Sequence, residues 1–310
     1  MYPSVIRTIL KKLLRALFLV WAALTIAFLA LRLLPGSPIQ QVLGVSFYNQ
    51  EVLEELSRGY GLAEPVQIQY AGFIKAFMSG DLGKSIRSGR GVGEEAWVRL
   101  GNSAKIAIPA ILISVVLSLV VSLWYMMHPS QHLSRAAKQL IVLGSSVPPF
   151  LVGIIVMLCA GLLFRVGVGS SAIGFNDFAL AVISLVVILG TYLIRQMVLL
   201  FEEETERAFV VAMISRGIGR KSILIKHVMR NALAPVLSVV GLVAGYLIVG
   251  TIIVEVIFGI PGIGRLFYEG LMFRDYPVVQ FVILASVTAF AGVNFLVDVA
   301  QIINDPRLRV

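Results

Sequence analysis

Between Ile106 and Met127 the chain carries no charged residue, and uncharged apolar runs of this kind recur along its length. A bilayer core about 30 Å thick asks a helix for roughly 20 apolar residues. Hydrocarbon offers backbone N–H and C=O groups no partner, and a helix closes its own hydrogen bonds. Stretches this long and this continuous read as spanning helices. Composition agrees. The 310 residues are 58% apolar and only 14% charged, where a soluble domain is about half apolar and a quarter charged. Disordered chains and water-soluble enzymes are excluded by the same figures.

Six segments qualify as spans, at about 13–34, 106–127, 139–164, 178–200, 231–254 and 278–303. The expected fold is therefore an all-α polytopic membrane protein. The first span holds an uncharged stretch, Ala16–Leu31, with Arg15 and Arg32 placed to snorkel at its ends. It is longer than a signal h-region and ends in Leu-Leu-Pro-Gly, so it is expected to be retained.

Lys and Arg set the orientation. Arg7, Lys11, Lys12 and Arg15 precede the first span, and Arg135 and Lys138 lie in the second loop. Arg207, Arg216, Arg220, Lys221, Lys226 and Arg230 lie in the fourth, and Arg307 and Arg309 in the tail. The third and fifth loops carry only Arg165, and Arg265 with Arg274. Both termini and the even loops are thus expected in the cytoplasm. The formal charge of +9 reflects these loops rather than nucleic-acid binding.

Two loops exceed simple connectors. Residues 35–103 are expected to fold as an external cap, with helical patterning at Gln50–Leu56 and Gln67–Met78. Residues 202–231 read as a helix over Glu202–Ile214, a break at Gly217 and Gly219, and a basic helix over Arg220–Ala232.

No chemistry of bond making is legible. Gly83-Lys84-Ser85 looks like the end of a phosphate loop, but Met78 stands where the motif needs its first Gly, so a Gly-rich turn is expected. His128 and His132 have ligand spacing without a nearby carboxylate or cysteine, and read as an interfacial pair with no metal. Neither catalytic residue nor cofactor is expected. Three ionisable residues fall at membrane depth, Arg195, Glu255 and Asp298. Such residues are costly there and mark sites or anchors. Arg195 and Asp298 both approach the inner ends of their spans and are expected to pair.

Ordered motifs carry a resemblance. The fourth loop reads Ala212-Met-Ile-Ser215-Arg216-Gly217-Ile218-Gly219-Arg220, then His227-Val-Met-Arg230-Asn231-Ala232-Leu-Ala-Pro235. Further on come Glu255-Val-Ile-Phe258-Gly-Ile-Pro261-Gly262-Ile-Gly264 and Asp275-Tyr276-Pro277-Val-Val-Gln280. Asn294, Asp298 and Asp305-Pro-Arg-Leu-Arg309 follow. Near the start stand Pro35-Gly36-Ser37-Pro38 and Gly80-Asp81-Leu82-Gly83-Lys84-Ser85. These resemble the oligopeptide/dipeptide/nickel permease family of type I ATP-binding-cassette importers, in its "B"-type subunit. The fourth loop departs from the usual Ala-Arg-Ala-Lys-Gly, reading Met213-Ile214-Ser215-Arg216-Gly217, and Val211 replaces a common Glu.

The resemblance implies the type I permease fold with a cap after the first span, in the inner membrane. It implies ATPase coupling through Ala212, Ser215–Arg220, His227, Arg230 and Asn231. It implies an external gate or binding-protein dock at Pro261, Gly262, Gly264, Asp275, Tyr276 and Pro277. Partners would be a homologous "C"-type permease subunit, two ATPase subunits, an external solute-binding protein and lipid. Cargo would be a peptide or a nickel or metallophore complex. The rival reading, an ion-coupled secondary transporter, would be expected to show related halves and broken or charged helices near the midplane, and neither is legible.

Overall fold

The computed structural model describes residues 3–33, 39, 50–128, 139, 141, 143–164 and 174–304. Pro35–Pro38, His132, Arg135, Lys138, Arg165 and Asp305–Arg309 lie outside the described residues. The long helices are α1 (Pro3–Leu33), α4 (Val92–Met127), α6 (Phe175–Thr205), α9 (Met229–Ile257) and α11 (Tyr276–Asn304). Shorter ones are α2 (Gln50–Gly59), α3 (Val66–Met78), α5 (Pro149–Phe164), α7 (Ala208–Ser215), α8 (Arg220–Ile223) and α10 (Ile263–Met272). Among the described residues the one β feature is an isolated bridge between Lys84 and Gly91.

Among the described residues five helices are long and apolar enough to cross a membrane, and α5 is a shorter apolar helix. The third expected span is not one continuous helix. Residues 143–146 are helical, the chain breaks at Val147 and Pro148, and α5 starts at Pro149. The cause is local. Each proline disfavours helical geometry in the residue before it and offers no N–H. Pro148 O then accepts from Leu151 N at 3.0 Å as the new helix begins, with Pro149 at its first position. The second span is longer than expected because α4 begins at Val92, with Glu94 and Glu95 in its first turn, where the helix dipole favours acids.

The chain divides into two compact units. The first comprises Met1–Arg15, Ala104–Ile260 and Gly292–Val310. Its axis is α6, whose buried residues Ala181, Leu185, Leu189, Leu193, Met197 and Phe201 recur every fourth position, one continuous helical stripe. Against it pack Tyr125, Met126, Val210, Ile223, Leu224 and Val228. Polar glue joins α4 to α6, where Ser118 Oγ donates to Gly190 O at 3.2 Å and Ser122 Oγ to Ile194 O at 3.4 Å. Such short side chains let membrane helices approach closely. Gln301 Nε2 ties α11 to α9 by donating to Ala234 O at 3.1 Å and bonding Ser238 Oγ at 2.6 Å.

The second unit comprises Ala16–Ser103 and Pro261–Ala291. Val92, Ala96, Leu266, Val278 and Val282 form one small core, and Leu31, Tyr276 and Val279 another. Many apolar side chains of α1, among them Phe18, Trp21 and Ile26, remain exposed, as suits a helix facing lipid.

Candidate functional site

The fourth loop differs from its expected form in a way that matters for leverage. The helix expected over Glu202–Ile214 is in fact the end of α6, a bend at Glu206 and Arg207, and then α7. Arg207 Nη2 pairs with Glu204 Oε1 at 2.7 Å across this bend. Glu204 is buried at 4% exposure. After Gly219 the chain does not form a separate amphipathic helix. It runs as α8, a π-helical turn at Leu224–Val228, and α9 without a break.

Helix α7 ends in a Schellman turn. Gly217 N donates to Ile214 O at 2.9 Å and Ile218 N to Met213 O at 3.2 Å, which satisfies carbonyls the helix end would otherwise leave free. The turn needs a left-handed residue, and Gly217 has φ 76°, a conformation that glycine enters without a Cβ clash. Gly219 is different. Its φ is −66°, so nothing in its backbone calls for glycine. Met213 and Ile218 pack inward on the core of this unit, while Ala212, Ser215, Arg216, Gly217, Gly219 and Arg220 are exposed.

Val211 and Ile214 do not stand out in the sequence as contact residues. Their side chains are 59% and 61% exposed, on a helix of 8 residues outside the spans. The signal that could have found them is the pattern Val210-Val211-Ala212-Met213-Ile214, apolar on more faces than one buried stripe requires. Lys221, Lys226, Arg230 and Asn231 are exposed too, and His227 is half-buried within the π-turn. The loop therefore exposes apolar residues, Val211 and Ile214, together with basic ones. It can dock against a surface, and the uninterrupted α8–α9 run can carry a displacement into a span.

The second expected site lies around Pro261–Pro277. Pro261 O accepts from Asn102 Nδ2 at 3.1 Å, and Ile263 N donates to Ser103 Oγ at 2.8 Å. Gly262 and Gly264 are buried at the start of α10. Asp275 works inward. It is 3% exposed, and its carboxylate accepts from Ser85 Oγ at 2.5 Å, Ile86 N at 3.1 Å and Arg87 N at 3.3 Å. Three donors on one carboxylate hold its charge in place. The Gly83-Lys84-Ser85 segment is thus a turn docked on Asp275, with Arg87 lying 3.7 Å over the Phe273 ring. Both partners of this 190-residue link stand in motifs of the sequence, but nothing in the sequence joined Ser85 to Asp275. Tyr276 is buried beside it and Pro277 is half-buried.

The intramembrane charges do not combine as expected. Asp298 Oδ1 pairs with Lys12 Nζ of α1 at 2.5 Å. Arg195 is exposed and forms no ion pair among the described residues. Glu255 is fully buried in the last turn of α9. The expected Arg195–Asp298 pair is corrected to Lys12–Asp298. Residues at like depth need not share a face, and α6 spends its buried face on the apolar stripe described above.

A family model described as the binding-protein-dependent transport system inner membrane component matches residues 114–310. Relatives match over nearly the whole chain. The dipeptide transport system permease protein DppB of Alkalihalophilus pseudofirmus is 28% identical over 315 residues, covering 92% of this chain and 93% of the relative. The glutathione transport system permease protein GsiC of Salmonella choleraesuis is 27% identical over 305 residues, covering 97% and 98%.

Proposed function

The chain belongs to the family of binding-protein-dependent transport system inner membrane components, and on that premise we propose that it forms half of the pore of an ATP-driven importer for short peptides. It is a multi-pass permease subunit of the ATP-binding-cassette importer kind. In our reading it sits in the inner membrane with both termini in the cytoplasm and residues 35–103 as an external cap. The transmembrane domain is 104–303, with the coupling loop at 202–231 and the tail at 304–310. The other half of the pore is a homologous "C"-type subunit. Two ATPase subunits supply the energy, and an external binding protein delivers cargo. Dipeptides and glutathione, named for the relatives, indicate the cargo class. A nickel or metallophore cargo is the competing outcome of a binding assay on the cognate binding protein.

The observation that carries this reading is the α7 turn. Val211 and Ile214 present exposed apolar surface, and the exposed Arg207, Arg216, Arg220 and Lys221 stand close to them in sequence, a combination suited to a groove on an ATPase. Closure of the ATPases would push α7 and α8, and the continuous α8–α9 run would turn that push into movement of a span, a rigid-body switch. In the same reading Pro261, Gly262, Gly264, Tyr276 and Pro277 shape the external gate, and Asp275 braces it by holding the turn at Ser85.

Substitution at Gly217 tests the coupling role. A Cβ there meets nothing within 4 Å in this chain, so Gly217→Ala costs only the left-handed backbone, about 1 kcal/mol. Gly217→Trp adds an indole at a position exposed in this chain, bulk that a docked partner would feel. The expected result is normal insertion for both variants, with ATPase retention and uptake lost in Gly217→Trp and largely kept in Gly217→Ala. Wild-type ATPase retention and uptake in Gly217→Trp would place coupling elsewhere, with the loop around His128–Arg135 the next candidate.

A further inference from the structure

The second unit holds a cavity of about 390 Å³ that shares Tyr276 and Pro277 with the proposed gate and reaches beyond it along α1 and α3. Its walls include Leu24, Phe73, Phe77, Phe281 and Leu284. The guanidinium of Arg32, in the last turn of the first span, borders it. Arg32 Nε donates to Gln69 Oε1 at 2.8 Å and Nη1 to Phe28 O at 3.3 Å. The cation lies 3.4 Å over the Phe28 ring and 5.7 Å from that of Tyr276. All of these partners are neutral. Among the described residues the Nη2 hydrogens have no acceptor and no carboxylate pairs with Arg32. Glu64 and Asp81 also border the cavity, but both are exposed, and Asp81 Oδ1 accepts from Gly83 N. Gln280 adds a second unmet demand. It is 8% exposed, borders the same cavity, and its Nε2 has no hydrogen-bond partner among the described residues.

We propose that this cavity binds an anionic phospholipid, with the phosphate on Arg32 and Gln280 and an acyl chain along the apolar wall. A half-buried cation at a span end with only neutral partners gains when an anion reaches it, and guanidinium suits phosphate oxygens through paired N–H groups. Basic pockets beside spanning helices take anionic headgroups for this reason. The walls decide between a lipid and a free anion. A free phosphate satisfies Arg32 but leaves the aromatic and leucine surface in water, whereas an acyl chain covers it, at about 25 cal/mol per Å².

The full chain, extracted from bacterial membranes in a neutral detergent, is tested for bound lipid by native mass spectrometry and for thermal unfolding. The additions are phosphatidylglycerol, phosphatidylcholine of the same chains, or inorganic phosphate. Phosphatidylglycerol is expected to stay bound and raise the Tm, phosphatidylcholine to do so several-fold less, and phosphate not at all. Gln280→Met removes the unmet donor while leaving Arg32 in place. It is expected to unfold no earlier than wild type without lipid, yet to bind phosphatidylglycerol about tenfold more weakly, the weight of one hydrogen bond to a charged group. Arg32→Lys keeps the charge but loses the paired N–H groups, and is expected to weaken binding likewise. Equal phosphatidylglycerol retention by wild type and both variants would overturn the site. An equal Tm rise from inorganic phosphate would overturn the lipid as its occupant. Because the readouts are lipid binding and unfolding, the site can fail while the transport reading stands, and the reverse.

Discussion

A single ion pair shows what residue-scale reasoning gains from coordinates. Lys12 and Asp298 stand far apart in sequence and meet at 2.5 Å, with side chains 27% and 37% exposed. Each is affordable at a span end because the other is there. Removing one leaves a charge without its partner, while removing both leaves none. Asp298→Asn is therefore expected to destabilise the detergent-solubilised chain by about 1 kcal/mol, discounted for exposure. The double change of Asp298→Leu with Lys12→Met should recover most of that. Arg195→Gln should stay within about 0.5 kcal/mol, as exposed substitutions do. Thermal unfolding of the four proteins checks the set, and an Arg195→Gln loss as large as that of Asp298→Asn would restore the pairing that depth alone suggested.

At the scale of elements, the two units are assembled by close approach as much as by apolar area. Helix α10 meets the start of α11 at Gly270, where an added Cβ would lie 3.0 Å from Val278 Cγ1 and 3.1 Å from Val279 Cγ2. Gly270→Val forces both valines aside and should cost about 2 kcal/mol or more, the range of overpacking. Gly219→Ala should stay within about 0.5 kcal/mol, because its φ is ordinary and nothing lies within 4 Å. The Tm difference between these variants is the measurement, and equal losses would mean that neither close approach nor backbone conformation distinguishes the sites. Gly219 drew notice in the sequence because it stands two residues from Gly217 in a motif. Gly270 drew none, since no periodicity marks a residue that is small only because another helix is near. Arg274 makes the converse point. It adopts φ 52° in the turn that ends α10, a position that glycine usually takes.

For the whole molecule the testable quantity is topology. With Cys159, the only cysteine, replaced by Ser, a new cysteine at 220 should react with an impermeant thiol reagent only from the cytoplasmic side. One at 75, on α3, should react only from outside. Both positions are exposed in their own units, so access depends on the membrane rather than on burial. Labelling of position 220 from outside in intact cells would reverse the orientation drawn from Lys and Arg.

The apolar runs alone determined that this chain is a helical membrane protein, because hydrocarbon forbids an unpaired backbone whatever the neighbours are. Ordered motifs marked the turn at Gly217 as well, since a left-handed position at a helix end is a local demand that a local residue meets. What tertiary structure alone decided is which groups meet: Lys12 with Asp298 and Ser85 with Asp275 across most of the chain, and Val278 with Gly270 across one turn between helices. It also decided where helices stop. Glu202–Ile214 has helical residues throughout, yet the chain bends at Glu206, between the buried Phe201 and Val210. Helix propensity differs by only tenths of a kcal/mol between such residues, so the packing of two apolar side chains outweighs it, and that packing depends on partners the local sequence does not contain.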